Sequence, residues 1–197
     1  MILKKHGDNK QKQALPKRKN LRLPEYDYAQ EGMYFVTVCT KDKACLFGDI
    51  VDDEMMLNDG GKMVERWYNE LENNFSNVQC NMFVCMPNHV HFIVNIVGAD
   101  QCVCPDEMDT PGGHTGPPLP KLVQWFKTMT TNEYIRGVKQ NDWEPFPGKL
   151  WQRNYYERVI RNERELNDIR EYIVNNPLKW ALDHENPDYA MNQRNKL

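Results

Sequence analysis

The run Phe83-Val84-Cys85-Met86-Pro87-Asn88-His89-Val90-His91-Phe92-Ile93-Val94-Asn95 sets the reading of this chain. It is rich in β-branched and aromatic residues and broken once, at Pro87-Asn88. That pattern predicts two strands, 78–86 and 89–96, joined as a tight antiparallel hairpin. Side chains alternate along a strand, so His89 and His91 share a face, with Cα atoms about 7 Å apart at roughly 3.3 Å per residue. Val90, Phe92 and Val94 point to the other face and can enter a core. Two imidazoles at this spacing can converge on one divalent metal, and a catalytic site needs a further ligand from elsewhere. Taken alone, the pair fits equally well with two half-exposed strand histidines.

Working outward, residues 33–40 alternate and read as a strand. Asn58-Asp59-Gly60-Gly61 reads as a turn. A helix over 64–75 follows, with Val64, Trp67, Tyr68, Leu71 and Phe75 on one face. A second helix is expected over 120–138, and a strand within 148–160. Residues 165–177 read as a last helix, with Leu166, Ile169 and Ile173 as its apolar stripe. Tyr172 and Asn176 stand one turn apart on one side of it. Pro177 marks its expected end, since the residue before a proline avoids the helical region. This order predicts an α+β unit, a ferredoxin-like antiparallel sheet with helices on one face.

These segments carry a resemblance. Gly32-Met33-Tyr34-Phe35-Val36-Thr37 is followed by Met86-Pro87-Asn88-His89-Val90-His91. Then come Trp151-Gln152-Arg153-Asn154-Tyr155-Tyr156-Glu157-Arg158-Val159-Ile160-Arg161 and Tyr172-Ile173-Val174-Asn175-Asn176-Pro177. Over residues 22–182 the set resembles the HUH-type single-tyrosine transposases, most closely the REP-associated tyrosine transposases of bacteria. The resemblance implies that His89, His91 and Asn176 hold a divalent metal, Mg²⁺ or Mn²⁺, and that Tyr172 is the nucleophile. It implies single-strand cleavage and strand transfer on hairpin-forming, REP-like DNA through a 5′-phosphotyrosine, by a monomer or homodimer. Tyr155 and Tyr156 are rival nucleophiles. Two other functions stay open: a non-catalytic binder of DNA hairpins, and a metal-dependent nuclease that uses water.

Charge is unevenly placed. The net charge is -3, yet residues 1–24 hold eight basic side chains against Asp8 alone. Such an arm suits sequence-independent attraction to phosphates. Arg153, Arg158 and Arg161, interleaved with Tyr155 and Tyr156, suit a groove for single-stranded DNA, where bases stack and phosphates pair. Lys121 and Lys127 on the second helix are further candidates. The expected organisation is a basic arm over 1–24, a catalytic domain over 25–182 with an irregular insert at 98–119, and a tail over 183–197. The insert contains Cys102, Cys104 and His114, whose spacing is not that of a zinc ribbon. The six cysteines form no Cys-x-x-Cys pair and read as reduced thiols. No apolar run approaches the ~18 residues of a membrane span, and the N-terminus lacks an export signal. The expectation is a cytoplasmic protein with no membrane partner.

Overall fold

The computed structural model describes residues 31–97 and 119–189. The basic arm, nearly all of the insert and residues 190–197 lie outside the described residues. Strand β1 (Gly32–Cys39) is central, and the hairpin β2 (Gly48–Val51) and β3 (Glu54–Leu57) follows it. Helix α1 (Asp59–Asn74), strands β4 (Val78–Cys85) and β5 (His89–Ile96), helix α2 (Leu119–Gln140), strand β6 (Tyr156–Ile160) and helix α3 (Glu163–Val174) complete the order. The main sheet runs β4-β5-β1-β6 with every neighbour antiparallel. The path β1-α1-β4-β5-α2-β6 with this strand order is the split βαβ of ferredoxin-like folds.

The period-2 pattern sorts the sheet into two faces. Tyr34, Val36 and Val38 of β1 and Val90, Phe92 and Val94 of β5 face α1 and α2, where they pack on Val64, Tyr68, Leu71, Leu122, Val123 and Phe126. Phe35 and Ile93 point the other way and meet Leu166, Ile169 and Ile173 of α3. The expectation that all helices share one face therefore holds for α1 and α2 and fails for α3. Phe35 and Ile93 make the middle of the second face apolar, and the stripe of α3 removes both surfaces from water. The histidine face of β5 is thus the face that α3 covers.

Other boundaries move for local reasons. Asn58-Asp59-Gly60-Gly61 is the first turn of α1 rather than a loop. The Asn58 side chain accepts a hydrogen bond from Gly61 N at 2.9 Å, the usual N-cap bond. A Cβ at Gly61 would sit 2.3 Å from the Phe47 carbonyl oxygen and 2.8 Å from Leu57 Cδ2. Gly61→Ala is therefore expected to destabilise the fold by about 2–3 kcal/mol. A fall in the urea midpoint at unchanged slope measures it.

The β2–β3 hairpin was not foreseen. Its turn residues Asp52 and Asp53 both have positive φ, 50° and 64°, which suits a two-residue primed turn. The strand expected within 148–160 is β6; ahead of it Trp151 is buried and donates Nε1–H to Thr130 Oγ1 at 2.9 Å.

Helix α3 ends at Val174, but the chain does not leave the helical region before Pro177. Asn176 has φ -63° and ψ -45° and leads into a 3₁₀ turn, Pro177–Leu182. Residues 183–189 follow this turn. Asn88 Nδ2 donates to Glu185 O at 2.7 Å and Lys43 Nζ donates to His184 O, so this segment folds back on the domain. Among the described residues, no helix is long and apolar enough to cross a membrane.

Candidate active site

His89 and His91 stand on the α3 face of β5, both buried. Their Nε2 atoms are 3.1 Å apart. His89 Nδ1 is 2.9 Å from Asn88 Oδ1. The amide orientation of Asn88 is set independently, because its Nδ2 donates to Lys43 O at 3.1 Å and to Glu185 O at 2.7 Å. Oδ1 must then accept from His89, so Nδ1 carries the proton and Nε2 presents a lone pair. His91 Nδ1 lies 2.7 Å from Thr37 Oγ1, the residue directly opposite it on β1. The Thr37 hydroxyl can accept from Nδ1–H, and in that tautomer His91 Nε2 is the nitrogen that presents a lone pair. Partners on the far ring nitrogen are how proteins fix the tautomer of metal-binding histidines.

The third element brings Tyr172 and Asn176. The Tyr172 hydroxyl is 3.2 Å from His91 Nε2. Its ring meets Phe35 edge-on at 6.0 Å, while Phe35 stacks on the His91 ring at 5.4 Å. Asn176 is buried, and its Oδ1 has no hydrogen-bond partner. A buried carboxamide oxygen without a partner costs free energy unless something fills its lone pairs. A divalent cation fits this donor set. Two ligands about 2.1 Å from one ion at a right angle are about 3.0 Å apart, close to the observed His–His separation. Among the described residues, no group of three His, Cys, Asp or Glu gathers as a metal cage. The donor set here is two imidazoles and an amide.

Burial also sets the ionisation. It pushes His89 down from 6.5 to about 4, against the opposing pull of the Asp183 carboxylate and the Asn176 amide. Burial pushes His91 well below the usual histidine range, and His89 adds to the effect. The Tyr172 phenol is raised, chiefly by burial, with Asn176 opposing and Asp183 adding. Both imidazoles are therefore neutral at pH 7, as metal ligation requires. Between pH 6.5 and about 4 the unfolded chain takes up a proton that folded His89 resists. Stability is then expected to fall with acidity across this window. Each proton resisted in this way costs up to about 1.4 kcal/mol per pH unit. Urea titrations at pH 7, 5.5 and 4.5 check the slope, which His89→Gln should flatten.

The remaining candidates divide. Tyr156 pairs with Thr37, lies on the histidine face and is 54% exposed. Arg158 shares that face and is ion-paired to Glu165 at 3.0 Å. Arg161 is exposed at the start of the α3 connection. Tyr155 is half-buried and packs toward the α1/α2 core, so the two tyrosines do face opposite sides. Tyr172, rather than either rival, has its hydroxyl beside a histidine nitrogen.

Lys121 is exposed on α2. Lys127 donates to Gln152 O at 2.6 Å and Arg153 O at 3.2 Å, and burial lowers it to about 8. It ties α2 to the segment leading to β6. Lys127 and the exposed Arg153 line a cleft of about 780 Å³ between α2 and residues 148–155.

The sequence reading missed Thr37 and Asn88 as partners of the histidines. Asn88 was visible beside the pair. Thr37 needed the β1–β5 register.

No protein-family profile matches the sequence. An uncharacterised protein of Haemophilus influenzae is 37% identical over 171 residues, covering 84% of this chain and 91% of that protein. A solved structure of a REP-associated tyrosine transposase bound to a REP hairpin superposes with TM-score 0.51 at 17% identity, covering 82% of this chain and 74% of that one. The chain thus belongs to one family with the Haemophilus influenzae protein, and its fold is that of the REP-associated tyrosine transposase.

Proposed function

We propose that this protein is a metal-dependent, site-specific single-stranded DNA endonuclease and strand transferase acting on hairpin-forming repeats, with Tyr172 as its nucleophile. The observation that carries the reading is the convergence of His89, His91, Tyr172 and the partnerless Asn176 oxygen from two separate elements. The shared fold of a transposase held on a hairpin supports DNA as the partner.

His89, His91 and Asn176 would hold Mg²⁺ or Mn²⁺. When bound, the cation offsets phosphate charge and orients the diester. The chain's own groups do the rest. Asn88 holds His89 in the ligating tautomer, and Thr37 anchors Nδ1 of His91. Phe35 fixes the ring of Tyr172 against that of His91. The resting phenol is protonated, because burial raises it. On attack its oxygen forms a bond to phosphorus and gives up the phenolic proton. The bond from phosphorus to the 3′ oxygen breaks, and that oxygen takes up a proton. A 5′-phosphotyrosine and a free 3′-hydroxyl result, and the reverse step rejoins strands without an external energy source. Tyr156 and Arg161, both exposed, suit base stacking and phosphate pairing next to the site.

The test is covalent trapping. The full chain is incubated with 5′- and 3′-labelled hairpin oligonucleotides from repeats beside its own gene, with Mn²⁺ or EDTA. A denaturant-stable adduct that needs Mn²⁺ and keeps the label 3′ of the cut is the expected result. Cleavage without an adduct would point to attack by water. Binding with neither would reduce the protein to a hairpin binder.

A further inference from the structure

We propose that the cleft between α2 and residues 148–155 is a second DNA site, apart from the histidine site, where Lys127, Lys149 and Arg153 take the phosphates of the unpaired strand running to the cleaved bond. This rests on DNA being the partner and needs neither the metal nor Tyr172.

The cleft has two walls. One is a single face of α2, where Pro120, Gln124, Lys127 and Thr131 follow one another at three- and four-residue steps. At 1.5 Å per residue this wall is about 16 Å long. The other is the segment 148–155, anchored by its buried Leu150 and Trp151. The volume of about 780 Å³ falls within the roughly 300–1,000 Å³ of sites that take organic ligands. The cleft is open to solvent, so it admits a continuous chain as well as a small molecule.

Its charge is of one sign. Three cations line it, and among the described residues no Asp or Glu does. In a chain with a net charge of -3 that is a local excess of positive charge. Lys149 and Arg153 are exposed, and neither side chain has a hydrogen bond or ion pair among the described residues. Lys127 donates to Gln152 O and Arg153 O, which leaves one of its three N–H groups to offer and fixes the backbone that carries Arg153. A trough lined only by cations repels metal ions and basic segments and suits a polyanion.

Its position links it to the chemistry. Residues 150–152 prolong the pairing of β1 beyond its end: Gln152 N donates to Cys39 O at 2.9 Å, and Lys41 N donates to Leu150 O at 2.8 Å. On the other side of β1, Thr37 and Cys39 pair with His91 and His89. The cleft and the histidines therefore share one end of β1 and lie on opposite faces of the sheet. Strand β6 is the edge between them. Tyr156 is exposed on the histidine face, and Tyr155 lines the cleft. A DNA strand leaving the site over Tyr156 rounds this edge and meets Tyr155 and Arg153.

The experiment is fluorescence anisotropy of the full chain in EDTA, with a hairpin that carries unpaired flanks and with the same hairpin without them. Lys149→Gln/Arg153→Gln is expected to weaken binding of the flanked hairpin about tenfold at about 0.1 M salt. It should lower the salt slope by about 1.4, the value for two phosphate contacts on a single strand, and leave the bare hairpin unaffected. Lys62→Gln/Lys139→Gln makes the same charge change at exposed positions outside the cleft and is expected to match the wild type. Circular dichroism melting establishes that both variants are folded. Undiminished binding of the flanked hairpin by Lys149→Gln/Arg153→Gln overturns the cleft as a DNA site. An equal loss on the bare hairpin or in Lys62→Gln/Lys139→Gln overturns it too, as does equal binding of the two hairpins by the wild type. Absence of wild-type binding to either hairpin overturns the DNA reading as well. Absence of Mn²⁺-dependent cleavage with the flank effect intact overturns the proposed chemistry and leaves this site standing.

Discussion

Tyr172→Phe is expected to abolish cleavage of the hairpin substrate and the covalent adduct, while hairpin binding persists. The loss should be at least about a thousandfold, because removing a nucleophile removes the reaction path and not one of its stabilising contacts. The change deletes a single oxygen. Phe keeps the edge-on contact with Phe35 at 6.0 Å between centroids and loses the hydrogen bond to His91 Nε2. The residue is 41% exposed, so no sealed cavity opens and stability should shift by less than about 1 kcal/mol. Gel-shift titration, adduct trapping and a thermal melt on one preparation separate these effects. Undiminished cleavage in Tyr172→Phe would sink the nucleophile assignment, and Tyr156→Phe measured in parallel would show whether its neighbour on the histidine face had taken the role.

His91→Gln is the second large effect. It is expected to weaken Mn²⁺ binding by about two orders of magnitude or more, since a direct ligand outweighs the partners behind it. The same substitution should relieve the fold in acid. Burial makes protonation of His91 unfavourable, and the neighbouring His89 makes it more so. Stability of the wild type is therefore lost as pH falls below the ordinary histidine value. The variant lacks one of the two groups that cause the loss, and its denaturation midpoint should depend less on pH between 6.5 and 4.5. Equal pH slopes for the two proteins would contradict this account. The pair illustrates a general tension: two buried imidazole nitrogens 3.1 Å apart suit a cation, and their burial makes protonation costly to the fold.

Much of this arrangement was legible in the chain. Period-2 alternation across His89–Ile96 assigned the histidines to one face and Val90, Phe92 and Val94 to the other. The stripe Leu166, Ile169 and Ile173 identified α3 and its buried side. Tyr172 and Asn176 came out one turn apart because that spacing survives the passage from α-helix to 3₁₀ turn. Each of these is a local property, fixed by the repeat of the backbone itself.

What the chain alone left undecided depends on contacts between residues far apart in sequence. Which face of the sheet α3 covers was decided by Phe35 and Ile93, apolar on the side that already carries the histidines. The partner of His91 Nδ1 is Thr37, 54 residues away and opposite it only through the β1–β5 register. Lys127 was read as a phosphate contact, and only the packing shows that it also donates to the carbonyls of Gln152 and Arg153. Asp183 had no periodic pattern to announce it, and only the return of the chain over Asn88 brought its carboxylate to His89. Local repeats specify the direction of a side chain from its own element. The partner it meets there is chosen by the packing of elements against one another, a choice written in no single stretch of sequence.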